Sequence, residues 1–188
     1  MKLHSIRFKS SLPILLLGIA IVVLIVGYTY LINMQKVVLD NQSERFLKAI
    51  SVVLNADRDL YQAKVSELNL VTNKKGDAGE LKNHSENAQQ VAERFSQYLN
   101  YLSIYPEITA NFSRFDMAFS RWLSASEAYI SAPQSSAQEL AANREFDALR
   151  DILDKAGEQA ESVSIIEKQK LIDKINSTKW LLLLMSAF

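Results

Sequence analysis

The chain has 188 residues with 21 basic and 21 acidic side chains, no cysteine, 5 glycines and 3 prolines. That length suits one domain, so little glycine disfavours a strand-and-turn fold, and the missing cysteine removes disulfide frameworks, thiolate metal sites and thiol nucleophiles. The charge is unevenly spread: residues 1–11 carry Lys2, Arg7 and Lys9 with no acid, whereas all 21 acids lie between Asp40 and Asp173. A mildly acidic body with a short basic leader argues against nucleic acid, which needs a basic footprint.

Residues 12–32 (LPILLLGIAIVVLIVGYTYLI) are 21 uncharged residues. At about 1.5 Å per residue they reach about 31 Å as a helix, the thickness of a hydrocarbon core. Ser10 or Ser11 can cap this helix, and Pro13 falls in its first turn, where a missing N–H costs nothing. Basic residues flank only the N-terminal side, so the positive-inside rule places residues 1–11 in the cytoplasm and Tyr28 and Tyr30 at the outer interface. The run exceeds a signal-peptide core and no A-x-A-like site follows, which favours an uncleaved anchor over a cleaved signal.

Residues 33–178 show helical periodicity almost throughout. In a heptad reading of the first stretch, Phe46, Val53 and Leu60 fall at d, Leu47, Leu54, Tyr61 and Leu68 at e, Ile50 and Val71 at a, and Ala49, Ala56 and Ala63 at g. So wide a stripe suits a helix buried in a bundle. Residues 73–80 (NKKGDAGE) form a turn through Gly76 and Gly79. A second stripe follows: Leu81, His84, Ala88, Val91, Phe95, Tyr98 and Leu102. Pro106 opens a third, aromatic helix with Ile108, Phe112, Phe115, Phe119, Trp122 and Tyr129. Residues 131–136 (SAPQSS) end it, and Ser136 with Glu139 forms a capping box for a fourth. That last helix carries Phe146, Leu149, Leu153, Ala156, Ala160 and Val163 and has no proline to stop it before residue 188.

The expected helices are 34–74, 80–104, 107–131 and 137–188. The outer two are the longer, so the expected fold is all-α: an antiparallel up-down-up-down four-helix bundle on a two-helix stalk continuous with transmembrane helices. Lys179 and Trp180 mark a second interface. Residues 179–188 then read as the start of a second span, cut about halfway across the bilayer.

Asp57 and Lys64 sit at a positions inside the apolar stripe. A buried unpaired charge costs several kcal/mol, so each needs a partner. Counting from the turns puts Arg150 and Asp154 of the fourth helix at the level of Asp57, which makes an Asp57–Arg150 bridge reachable. All four are read as structural interior polar groups, against a ligand-contacting role or a solvated edge. His84 reads as a hydrogen-bonded core histidine and the aromatic run as core.

Two stretches carry a resemblance: residues 56–63 (ADRDLYQA) and 146–159 (FDALRDILDKAGEQ). They are similar to segments of the first and fourth sensor helices of bacterial methyl-accepting chemotaxis receptors. The layout of two spans around a helical body resembles the same family. Its HAMP linker and signalling coiled coil have no counterpart in these residues. The resemblance implies a homodimer in the bacterial inner membrane, with residues 33–178 extracytoplasmic, that relays ligand binding by helix displacement. It also implies a dimer face on the first helix, where Ser51, Asn55, Arg58 and Gln62 line a ligand site. Arg58 is the one cation there and suits the carboxylate of a small anionic molecule. The competing reading of that face is ordinary solvation.

Histidine kinases and diguanylate cyclases carry similar sensors, and a membrane-tethered scaffold is the alternative from another class. No G-x-S-x-G, H-E-x-x-H or glycine-rich phosphate loop is present. His4 and His84, the only histidines, lie far apart. No catalytic residue, metal or cofactor is therefore expected, and the chain is not read as an enzyme.

Overall fold

A computed structural model describes residues 6–72 and 77–186. Among these residues the chain is all-α, with no strand. In order come α1 (Ile6–Asn41), a π-helical segment (Gln42–Leu47), α2 (Lys48–Thr72), α3 (Ala78–Tyr101), α4 (Pro106–Thr109), a 3-10 turn (Ala110–Phe112), α5 (Phe115–Ser131) and α6 (Ser136–Ser186). The expected turn at 73–80 falls partly outside the described residues, Gly76 included. Its described end is explicit: extended Asp77 caps α3 by accepting from the Gly79 N–H at 2.8 Å. The chain divides into two compact units, one of the residues up to Asn41 with those from Ile166, the other Gln42–Ile165.

In the first unit, α1 is long and apolar enough to cross a membrane. Its leucine, isoleucine and valine side chains are mostly exposed in the protein, as a lipid-facing helix requires. Leu31, Ile175 and Leu182 form a small buried cluster with Met34 and Val38 against it. Gly27 allows this approach, because the Leu182 side chain occupies the space a Cβ would take.

In the second unit one core holds Phe46, Val53 and Leu60 of the d line, Ala49, Ala56 and Ala63, the α3 stripe from Ala88 to Tyr98, Ile108 with the aromatic Phe112, Phe115 and Trp122, and Phe146, Leu149, Leu153, Ala156 and Ala160 of α6. Phe95 is the hub of its aromatic part. Its ring stacks on Phe115 with centroids 3.7 Å apart, and Tyr98 and Phe112 approach at 5.4 and 5.9 Å. The buried Tyr98 hydroxyl donates to the Ala156 carbonyl at 2.9 Å, tying α3 to α6. Burial pushes that phenol's pKa far above its ordinary value.

Three expectations are corrected. The e line is not core: Leu47, Leu54, Tyr61 and Leu68 are 61, 63, 42 and 45% exposed. The d and g lines fill the interior, and the small alanines draw the neighbouring helices over that side, leaving the e row outside. The third helix is not continuous. It breaks at Ser113 and Arg114, after a 3-10 turn whose tighter winding lets Ile108, Phe112 and Phe115 all reach the core. The α6 cap is Ser135 rather than Ser136: Ser135 Oγ accepts from the Gln138 N–H at 3.4 Å, while its carbonyl accepts from Gln138 and Glu139.

Candidate functional site

Polar chemistry in the second unit begins on the inner side of α2. The next d position after Leu60 is Glu67, and its side chain is fully buried. The Lys64 ammonium, one turn earlier, donates to Glu67 Oε1 and to Asn143 Oδ1 of α6 at 2.7 Å. Nζ also lies 6.0 and 5.7 Å from the ring centres of Tyr129 and Phe146, a cation–π setting. On the other carboxylate oxygen, the Ser126 hydroxyl of α5 donates to Glu67 Oε2 at 2.6 Å. Ser126 Oγ lies 2.8 Å from His84 Nε2 of α3. One connected line, His84–Ser126–Glu67–Lys64–Asn143, thus visits α3, α5, α2 and α6.

A second buried acid lies two turns earlier. Asp59 is fully buried and accepts from Arg58 Nε and Nη2 at 3.1 and 2.9 Å and from Arg94 Nε of α3. Two guanidinium groups around one carboxylate supply the partners that a buried charge requires.

The residues singled out from the sequence are distributed differently. Lys64 is in the buried line, but with Glu67 and Asn143 rather than with a fourth-helix acid. Asp57 and Arg150 do approach, Arg150 Nε to Asp57 Oδ1 at 3.6 Å, too long for a hydrogen bond, and their side chains are 25 and 41% exposed. Arg150 also lies over the Tyr61 ring at 5.1 Å and 3.9 Å from exposed Asp154. Asp154 is therefore not an interior group, and Asp57 and Arg150 are half-buried, because they sit on the flank of the α2–α6 contact. Ser51, Arg58 and Gln62 are exposed and Asn55 half-buried, with Asn55 Nδ2 donating to the Ser51 carbonyl at 2.8 Å. Arg58 remains the one cation among these four, and the carboxylate of the next residue holds its guanidinium.

Burial raises the Asp57 pKa above its ordinary value, with Asp154 adding to the rise and Arg150 opposing it. A carboxyl whose pKa rises on folding stabilises the fold at acid pH and loses that contribution as pH climbs through the folded value. At neutral pH, Asp57→Asn should therefore cost no more than about 0.5 kcal/mol in thermal unfolding, the range of a surface change. A loss of several kcal/mol would show instead that Asp57 depends on its arginine.

Asp59, Glu67, Arg94, Ser126 and Asn143 were not singled out from the sequence. Two of them left a signal. Glu67 continues the series Phe46, Val53, Leu60 at seven-residue spacing, and Ser126 stands between Trp122 and Tyr129 on the aromatic stripe.

Between α3 and α5 runs a half-open groove of about 720 Å³ with His84 and Glu127 among its lining residues. No group of acids, histidines and cysteines able to hold a metal occurs among the described residues. Compared with known proteins, the chain matches no family model, no curated protein and no solved structure.

Proposed function

We propose that this chain is the membrane-anchoring and ligand-sensing portion of a homodimeric chemoreceptor-like protein of the bacterial inner membrane. In this reading Gln42–Ile165 is an extracytoplasmic antiparallel four-helix bundle, and α1 and the end of α6 are its membrane helices. The observation that carries the proposal is the open row Leu47, Leu54, Tyr61 and Leu68 on α2. Large apolar side chains at seven-residue spacing on an exposed helix face are what two copies of one helix bury against each other. Val65, also exposed, extends the row on its neighbouring line.

The four-helix arrangement is supported by bonds that join the helices pairwise: Ser126 to Glu67, His84 to Ser126, Lys64 to Asn143 and Tyr98 to Ala156. Membrane anchoring is supported by the apolar, exposed stretch of α1 and by the packing of Leu182 on Gly27. The mechanism follows from differential binding: a ligand that prefers one arrangement of the dimer shifts the population toward it, and a small displacement of α6 carries the change across the membrane. A ligand at the α2 seam would meet Arg58, Asn55, Gln62 and Ser51, with Asp59 offsetting one of the two charges of Arg58 and Arg94 and one positive charge left over. We assign the chain no catalytic step.

Interchain cross-linking tests the dimer. The chain has no native cysteine, so single replacements report alone. Leu54→Cys and Tyr61→Cys should each give a disulfide-linked dimer on mild oxidation in membranes, whereas exposed Ser124→Cys on α5 should stay monomeric. No dimer at either α2 position, or equal yields at all three, would overturn the proposal.

A further inference from the structure

The groove between α3 and α5 differs from the α2 seam in both place and chemistry. Its α3 wall includes Leu81, His84 and Gln89, its α5 wall Leu123, Glu127 and Ile130, and no residue of α2 lines it. About 720 Å³ is within the usual size range of small-molecule sites. No lysine or arginine is among the lining residues, and Glu127 is the single formal charge.

Proton accounting fixes what His84 offers. Ser126 has one hydroxyl hydrogen, which goes to the acceptor-only Glu67 carboxylate. The 2.8 Å bond between Ser126 Oγ and His84 Nε2 must then use the hydrogen on Nε2. A neutral imidazole protonated at Nε2 carries its lone pair on Nδ1. His84 Nδ1 has no hydrogen-bond partner among the described residues. Burial lowers the His84 pKa below its ordinary value, Lys64 assists, and Glu67 and Glu127 oppose, so the ring is neutral at physiological pH. Gln89 gives one of its two amide hydrogens to Glu93 at 2.6 Å, and its carbonyl oxygen is a further acceptor. The groove therefore combines acceptors and one negative charge with an apolar surface from Leu81, Leu123 and Ile130.

We infer that this groove binds a small organic ammonium ion, its N–H groups donating to His84 Nδ1 and the Glu127 carboxylate and its apolar body lying on the leucine and isoleucine side chains. Anions are disfavoured by Glu127 and by the absence of a cation. A bond at Nδ1 polarises the Nε2–H and, through Ser126 and Glu67, the contact of Lys64 with Asn143 on α6. The inference deepens the sensor reading and rests on it for this link to α6. The binding itself is read without any dimer or signalling measurement.

The test uses the full chain in detergent micelles, with 2-phenylethylamine as probe and 2-phenylethanol and phenylacetate as near-isosteric controls. By calorimetry at neutral pH, the amine should bind at least about tenfold more tightly than either control, and Glu127→Gln should remove about tenfold of that affinity. Glu127 is exposed, so the variant should fold. With ¹⁵N-labelled histidine, the His84 Nδ1 resonance should move on adding the amine, assigned by its loss in His84→Gln. The inference is overturned if the amine binds no better than the alcohol, if Glu127→Gln binds it as tightly as the parent, or if the His84 resonance stays still at saturation. Any of these results leaves the cross-linking test of the sensor reading intact.

Discussion

Replacing Lys64 by Met should lower the stability of the helical domain by about 3–5 kcal/mol, because it leaves a fully buried carboxylate without its ammonium. Only the Ser126 hydroxyl then remains on Glu67, and Asn143 loses its donor as well. For a chain of this size the midpoint of thermal unfolding should fall by roughly 10 °C. Adding Glu67→Gln should restore most of the loss, since a neutral amide still accepts from Ser126 and needs no counter-ion. A Lys64→Met variant that loses less than about 1 kcal/mol would mean that the ion pair is not what keeps Glu67 buried.

The second large effect is expected at Phe95. Phe95→Ala should cost about 3–5 kcal/mol, the range for deleting a buried aromatic side chain. The ring is fully buried and touches Tyr98, Phe112 and Phe115. Two of those rings come from the segment after Pro106, where a 3-10 turn interrupts regular α-helix and the packing of these rings is what ties the segment to α3. The loss should therefore be accompanied by early hydrogen exchange from Glu107 to Phe115 before the rest of the domain opens. Phe95→Leu, which keeps part of the volume, should lose less. An alanine variant melting within a degree or two of the parent would contradict the hub role.

The sequence already contained the helical class, the core lines of α2, α3 and α6, and the place where proline opens a new segment. These follow from periodicity, which reports directly which side chains share a face. What periodicity could not separate was the inner from the outer edge of a wide stripe. Leu47, Leu54, Tyr61 and Leu68 are as apolar as the d line, and only the positions of the neighbouring helices show them to be outside. Glu67 was legible as a glutamate on a core line, but its partner Ser126 is 59 residues away in sequence and Asn143, the other acceptor of Lys64, is 79 residues from that lysine, and no local rule brings them together. The Arg58–Asp59 pair was not legible for another reason. Adjacent residues on a helix point in different directions, so a bond between Arg58 and Asp59 depends on the long arginine side chain folding back over its neighbour.

The most direct test of the account is the side of the membrane on which α3 lies. The chain is cysteine-free, so Asn100→Cys and Ser5→Cys can be compared in intact cells after the outer membrane is permeabilised. Asn100 is exposed and lies near the end of α3, while position 5 is in the basic leader. With an impermeant maleimide, the proposed topology predicts labelling at position 100 and none at position 5 until the inner membrane is broken. Labelling at position 5 alone would put the helical domain in the cytoplasm, and the sensor reading would fall with it.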